Sequence, residues 1–528
     1  MPAEVREETL ELPTYVWGPP DPNPPLQRKG AESIYPYPLL DDLGEEARTV
    51  RYRALVVENE YLRVTVLPEL GGRIHSAVDK PTGQEVFHRN NVAKPGLIGL
   101  RGAWISGGVE WNFPRRGHTV TTVSPVDARA VQEQDGSAVI WVGDLEQMTH
   151  MSWAVGIRLR PGCAAIETEI VLANRTPLPH PYYFWANAAV PARDDMRLMY
   201  PGTRAFTWGR RDMNWPVHEG KDLSRYTAFE SANDVFIVDS LEDFFGAYYE
   251  ESDFGVVHCA DVHDSVGKKF FTWGTAHHAK VWASALTDRD GPYCEIQSGR
   301  FLTQAILRLM PPHFVERWVE WWYPVGGIGG FSWANREAAV RLACRDGQVE
   351  CSLAVTRAHP YALVRLLAGG HTIHEQRADL SPERPLRFQP ARQAGIGSAP
   401  VTLVLFDRDN QELIRHTENQ APRATAVRLD AESEETTSGG LSQRALRAEE
   451  SSDLSRAWQL YQQALSLDPA SLPAAIALGR LALQLRPDEA VGRLSQATAL
   501  APDSAEAAYY LGLALVRAGK EEEAEVEL

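Results

Sequence analysis

Two carboxylates and a histidine carry the chemistry most worth testing in this chain. Glu110 lies in ISGGVEWNFPRRGH (105–118), together with Asn112, Arg115, Arg116 and His118, among Trp104, Trp111 and Phe113. Glu295 lies in GPYCEIQSGRFLTQ (291–304), a segment that also holds Gln297, Arg300 and Gln304. Two further segments are unlike ordinary strand sequence. LPELGGRI (67–74) runs into a Gly-Gly turn, which frees the backbone for close approach, and NRTPLPHPYYFWANAAVP (174–191) contains His180, Trp185 and Asn187. Loops that gather Glu, Asn, His and Trp have the composition of a polyol site. Thirteen of the fifteen tryptophans fall between Trp104 and Trp333, with Trp318, Trp321 and Trp322 in one short run. The C–H face of a pyranose stacks on an indole while its hydroxyls seek polar partners, so a Trp-lined groove with carboxylates suits a sugar. A large β core built with Trp would give the same count.

Two carboxyl groups, one protonated and one ionised, are what glycoside hydrolysis requires, and Glu110 with Glu295 form the natural pair. The residues expected to hold the substrate are Trp104, Trp111, Asn112, Arg115, Trp185, Asn187, Gln297, Arg300 and Trp322. Each has a structural alternative. Glu110 would serve equally to bond amides in a tight loop, and His118 after its glycine to donate structurally. His180 sits between prolines, and Arg115 with Arg116 would suit solvated ion pairs. Trp321 and Trp322 are strand neighbours and should divide between core and groove. HCADVHD (258–264) and His277-His278 match no zinc spacing, so no metal is expected. No strand-to-helix G-x-G-x-x-G, phosphate loop or G-x-S-x-G elbow is present, and no cofactor is expected.

The elements that must position these residues are strands. Leu62, Val64 and Val66 alternate with Arg63 and Thr65, and Trp153, Val155, Ile157 and Leu159 with Ala154, Gly156 and Arg158, the period of half-buried strands. Turn residues recur between them, as in Lys80-Pro81-Thr82-Gly83. Without crossover helices such strands make antiparallel sheets, and the length favours a large β-sandwich over 51–335. Residues 1–50, rich in proline and charge, are expected to form an extended arm. A small accessory β-sandwich is expected over 338–417 and a polar, acidic linker over 418–450. From 453 to 528 the period changes. Leu467-Asp468-Pro469 recurs as Leu500-Ala501-Pro502, and Leu478-Gly479 as Leu511-Gly512. The spacing predicts tetratricopeptide-like helical repeats, about two and a third of them. Their unfinished end implies an incomplete chain or a covering partner, and such arrays commonly capture protein partners.

Composition narrows the function. The 528 residues carry a net charge of −17, which argues against nucleic acid and anionic membranes as partners. No long apolar run and no signal-like start are found, so a cytoplasmic location is expected. The five scattered cysteines fit reduced thiols.

LPELGGRI, PHPYYFWANAAVP and the Glu-x-Gln-x-Gly strand at Glu295 resemble the galactose mutarotase-like β-sandwich superfamily. SGGVEWNFPRRGH and YCEIQSGRFLTQ with the ensuing WWYP, joined to a small β unit and tetratricopeptide repeats, resemble the bacterial DUF5107-with-repeats family. The resemblance implies a carbohydrate-handling supersandwich. In mutarotases a carboxylate takes the anomeric hydroxyl proton while a histidine protonates the ring oxygen. The resemblance implies Glu295 as that base. His180 falls near the superfamily's Asn-His-x-Tyr-Phe motif, whereas Ser106 stands where the other histidine is expected, leaving His118 as a further acid. Three functions are therefore open: glycoside hydrolysis by Glu110 and Glu295, anomeric epimerisation by Glu295 with His118 or His180, and a sugar-binding scaffold with a repeat-bound partner.

Overall fold

A computed structural model describes all residues except 1, 24–33, 179, 208–211, 346–347, 391–398, 426–436, 451–452 and 528. The chain divides into two compact units, Met1–Ala426 and Val427–Leu528.

The first unit is built on two antiparallel sheets. A twelve-stranded sheet begins at an edge with Glu4–Trp17 and continues through Leu43–Glu58, Leu62–Leu67 and Arg73–Asp79. Its centre is Val109–Asn112, Trp185–Pro191, Tyr293–Gly299 and Gly267–Thr272, followed by Asn233–Ile237. These central strands come from distant parts of the chain. An eight-stranded sheet packs against it, with Phe314–Gly326 between Phe254–Ala260 and Ile166–Asn174. Period-2 sequence explains the layers. On Met151–Leu159 the residues Trp153, Val155, Ile157 and Leu159 are all buried, as their alternation predicts. Aromatic rings fill the space between the sheets. Trp322 meets Phe87 and Phe245 edge-on, and Phe270 lies against Tyr200 with centroids 5.8 Å apart.

Two features of this unit add to those expectations. Within the first fifty residues, read as an extended arm, Glu4–Trp17 pairs antiparallel with Leu43–Glu58, with a register shift between Tyr15 and Trp17, and so supplies the sheet edge. Charged cross-strand pairs such as Arg51–Glu11 and Arg53–Glu7 blunt that edge, which is why the segment reads as polar. Among the described residues the run of strands is also interrupted by one α-helix, His277–Leu286, which contains the His277-His278 pair.

The smaller sandwich packs the four-stranded sheet containing Ala338–Arg345 and Gln348–Val355 on another containing His359–Ala368 and Val401–Phe406. Its core is aliphatic, including Val340, Leu353, Val364, Leu366, Leu403 and Leu405. After its last strand, Glu412–Thr417, the chain returns to the large sandwich: Leu241 donates its N–H to the Arg423 carbonyl at 2.8 Å, and Thr425 donates to Asp239 at 2.9 Å.

The second unit is helical. The stretch read as linker to residue 450 includes a helix, Ser438–Glu450, which lines up with Leu454–Leu467 as the first helical pair. Leu472–Leu485 with Pro487–Leu500, and Ala505–Arg517 with Glu521–Glu527, follow. The small, polar composition of 438–450 hid the helix, but Leu441, Ala445 and Ala448 supply its buried stripe. Gly479 is where helices cross closely, with Leu494 against its Cα. Among the described residues no helix is long and apolar enough to cross a membrane.

Candidate functional site

Register places the polar side chains in one row across the twelve-stranded sheet. Glu110 stands opposite Asn187, Asn187 opposite Gln297, and Gln297 opposite Lys269. Opposed residues of antiparallel strands project on the same face, and so do residues two apart, which adds Glu295 beside Gln297. A slip of one residue would send the whole set to the other face, so the apolar alternation that fixes register also fixes the site.

Glu110 is 5% exposed. Its Oε2 lies 2.9 Å from His118 Nδ1, and Trp104 Nε1 donates to the same oxygen at 3.1 Å. The Trp104 ring in turn packs on His118 with centroids 4.3 Å apart. Burial drives Glu110 up, but the His118 charge and hydrogen bond, Arg73 and the Trp104 N–H more than offset it, leaving the carboxyl below its ordinary value. His118 moves the other way. Burial lowers it, while the Glu110 charge and hydrogen bond, with Glu295 behind, hold it above its ordinary value. The two therefore form an ion pair, and His118 is the more open member with its side chain 19% exposed.

Glu295 has a different environment. Gln297 Nε2 donates to its Oε2 at 2.7 Å and Asn187 Nδ2 to the same oxygen at 3.2 Å. No cation bonds it. Lys269 Nζ is spent on Asp234 and on Gln304 Oε1 at 2.8 Å, and Gln304 reaches on to Gln297 at 3.1 Å. Burial therefore raises Glu295 above its ordinary value, against the pull of His118 and with the push of Glu110. Two strand spacings and one two-residue step separate the Glu110 and Glu295 backbones, on the order of 11 Å.

The loop that delivers Glu110 is held by Arg73. This buried guanidinium donates to the carbonyls of Ile105 (3.0 Å), Gly107 (2.9 Å) and Leu70 (3.3 Å) and to Thr122 Oγ1 (3.0 Å). Gly108, at φ 66°, passes so close to the Ile74 carbonyl that a Cβ would sit 1.8 Å from its oxygen. Only glycine fits there. Gly267 and Gly299 likewise make room for the Trp185 indole, which lies over both.

Of the residues singled out in the sequence, the structure brings together Glu110, His118, Trp104, Asn187, Glu295 and Gln297. Trp185 shares their face but is fully buried. Asn112 accepts the Thr119 N–H at 2.8 Å and so pins the 113–118 loop. Four expectations are corrected. Trp111 points to the opposite face, donating to the Gly72 carbonyl at 3.1 Å, because it alternates with Glu110. Trp322 is core between the sheets. Arg300 is spent on Glu316 at 3.1 Å and on the carbonyls of His263 and Asp264. His180 lies apart on the short strand His180–Tyr182, with Thr176 Oγ1 3.0 Å from its Nε2, and burial, aided by the charges of His150 and Arg115, holds it below its ordinary value. The expected wall of indoles is therefore largely core. Lys269 and Arg73 were missed. The pair Lys268-Lys269 inside the apolar strand GKKFFT was the available signal for the first.

Among the described residues no cluster of His, Cys, Asp and Glu has the geometry of a metal site. The model of a domain of unknown function, DUF5107, matches residues 29–325, more than half of the chain. The chain belongs to the DUF5107 family. That match spans the polar row, and a second model, described as YphG-like protein, second domain, matches residues 333–416, the small sandwich. A TPR-domain containing protein from Parabacteroides distasonis is 21% identical with a TM-score of 0.58, covering 99% of this chain and 79% of that one. The DUF5107 chain thus shares its whole fold order, sandwich to repeats, with a solved structure. A putative aldose 1-epimerase from Klebsiella pneumoniae is 11% identical over 52% of this chain and 80% of its own, with a TM-score of 0.38. A galactose mutarotase-like protein from Clostridium acetobutylicum is 9% identical over 52% and 96%, with a TM-score of 0.39.

Proposed function

We propose that this protein acts at the anomeric carbon of a monosaccharide. Glu295 takes the proton of the anomeric hydroxyl while the His118 imidazolium, held by Glu110, protonates the ring oxygen. The bond between the anomeric carbon and the ring oxygen breaks, giving the open-chain aldehyde. Rotation about the adjacent carbon–carbon bond and return of both protons close the ring with either anomeric configuration. The observation that carries this reading is a pair of upward shifts on one sheet face, each with its geometric cause: the His118 imidazole, bonded to Glu110, is held above its ordinary value and favours its proton, and the buried Glu295 carboxyl is raised above its own, which makes it a stronger general base. Polarimetry of freshly dissolved aldoses tests it. The protein should accelerate mutarotation and Glu295→Gln should abolish the acceleration; no acceleration across a panel of aldohexoses and aldopentoses would sink the proposal.

The divergent shifts of Glu110 and Glu295 also support a second reading, glycoside hydrolysis with Glu295 as acid and Glu110 as base. The burial of Trp111 and Trp322 removes the walls that a second sugar unit would use, so we rank it below epimerisation. Release of reducing ends from aryl glycosides, lost in both Glu110→Gln and Glu295→Gln, would reverse that order. We assign the helical repeats to capture of a protein partner rather than to the chemistry.

A further inference from the structure

A second polar cleft lies away from this row, on the outer face of the eight-stranded sheet. Its volume is about 440 Å³, within the range of small-molecule sites. Its floor is the strand Phe314–Gly326, where Val319 and Trp321 share the face opposite to the core residue Trp322. The hairpin that precedes Ile166–Asn174 supplies one wall, and Arg336, Glu337 and Arg357 beside the small sandwich supply the other. A backbone bond of 2.7 Å from Ala164 to Thr356 ties these walls together.

The chemistry of the lining is specific. Arg160 is bound twice to Glu167, at 2.8 and 2.9 Å, and serves as a fixed rim. Arg336 and Arg357 are different. Both rest their Nε on the single carboxylate Glu337, at 3.3 and 3.4 Å, and among the described residues neither has a side-chain hydrogen bond. Their terminal nitrogens remain as donors. The Arg336 guanidinium lies 6.0 Å over the Trp321 ring. Exposed ion pairs of this sort hold their side chains only weakly, so both forks re-aim at little cost. Arg160 is balanced by Glu167 and by Asp135 at 3.3 Å, whereas Arg336 and Arg357 share the one carboxylate of Glu337, which leaves that wall cationic in a chain of net charge −17.

We propose that this cleft binds an anionic sugar, with the pyranose face on Trp321 and the acidic group between Arg336 and Arg357. An indole supplies the apolar platform for sugar C–H groups, and paired guanidinium forks supply bidentate contacts to a carboxylate or phosphate. Neither half alone accounts for both features of the lining.

Isothermal titration of the full chain with glucuronate, glucose 6-phosphate, glucose and inorganic phosphate tests this. At least one acidic sugar should bind about tenfold more tightly than glucose and than phosphate. Which of the two does so identifies the group as carboxylate or phosphate. The Arg336→Gln/Arg357→Gln double variant, at exposed positions that leave the fold intact, should remove the preference over glucose. Trp321→Ala, with its melting curve as a check on folding, should remove the preference over phosphate. Glu295→Gln should leave the preference for the acidic sugar over glucose unchanged, and loss of that preference in this variant would place the binding in the polar row and overturn the proposal. Equal affinity for phosphate alone or for glucose alone, absence of binding by either acidic sugar, or binding that survives the arginine double variant would each overturn the proposal.

Discussion

The two β-sandwiches solve the same folding problem with different interiors. In the small one the buried polar side chains among the described residues are Ser352, Thr356, His359 and His416, and none is a carboxylate, lysine or arginine. Both histidines are driven toward neutrality by burial, His416 down to about 4. The large one buries Glu110, Glu295, Lys269 and Arg73 around one face of its central strands. Aliphatic packing alone suffices for a sandwich of this kind, so the buried charges in the larger one are not demanded by the fold. Desolvated ions usually cost stability unless they are fully paired. Glu295, bonded among the described residues only by the Gln297 and Asn187 amides, is the member that most clearly lacks such pairing. Where a protein tolerates that cost, a functional use is the physical reading.

The sharpest way to break this contrast is Glu295→Gln. It should lower turnover by roughly 10²–10⁴-fold, the usual worth of a positioned general acid or base. It should also stabilise the protein above neutral pH. A carboxyl whose folded pKa is raised binds its proton more tightly in the folded state, so its ionisation removes stability as pH rises through the folded value. Melting temperatures at pH 5 and pH 8 read this directly, and a variant destabilised at pH 8 would mean that Glu295 is a structural group.

Glu110→Gln should do the reverse. It leaves His118 without its counter-ion and should cost about 3 kcal/mol, as removal of one partner of a buried pair does. The pH dependence has two limbs. Glu110, depressed, contributes stability that is lost as pH falls through its folded value. His118, raised, contributes stability that is lost as pH climbs through its own folded value. Denaturant titrations of the wild type should therefore show a plateau between these limits that flattens in the variant. In the small sandwich Leu403→Ala should also cost about 3 kcal/mol by opening a cavity, but that loss should be independent of pH and leave turnover per folded molecule unchanged. A pH-dependent loss there would erase the distinction between the two interiors.

The sequence made the strands legible because alternation is a local signal, and the row itself was half visible. Glu110, Asn187, Glu295 and Gln297 were identifiable from composition, but their convergence depends on the strand order that seats Trp185–Pro191 between Val109–Asn112 and Tyr293–Gly299. That order is long-range. Tryptophan density misled for the same reason: Trp111 and Trp322 have the residue type of a sugar platform, yet alternation relative to Glu110 and Trp321 turns both inward. The edge strand Glu4–Trp17 was missed because its exposed charges resemble those of a loop.

The smallest expected effect concerns the helical unit, and it depends on where the chain is cut. A fragment of residues 1–426 retains the return of the chain onto the large sandwich and should keep full turnover. A fragment of residues 1–420 should not be equivalent. It removes Arg423, which bonds the buried Glu242 through its backbone N–H, through Nε at 3.2 Å and through its terminal nitrogen at 3.0 Å. Glu242 is 2% exposed, so it would be left as a buried carboxylate short of partners. Lys268, buried nearby and pushed down to about 8, would recover only part of that deficit. The shorter fragment should therefore melt several degrees lower with the same turnover per folded molecule, about 1–3 kcal/mol being the cost of leaving such a group unbonded. Loss of turnover in the folded 1–426 fragment would instead make the repeats part of the active unit, and the separation of chemistry from partner capture would fail.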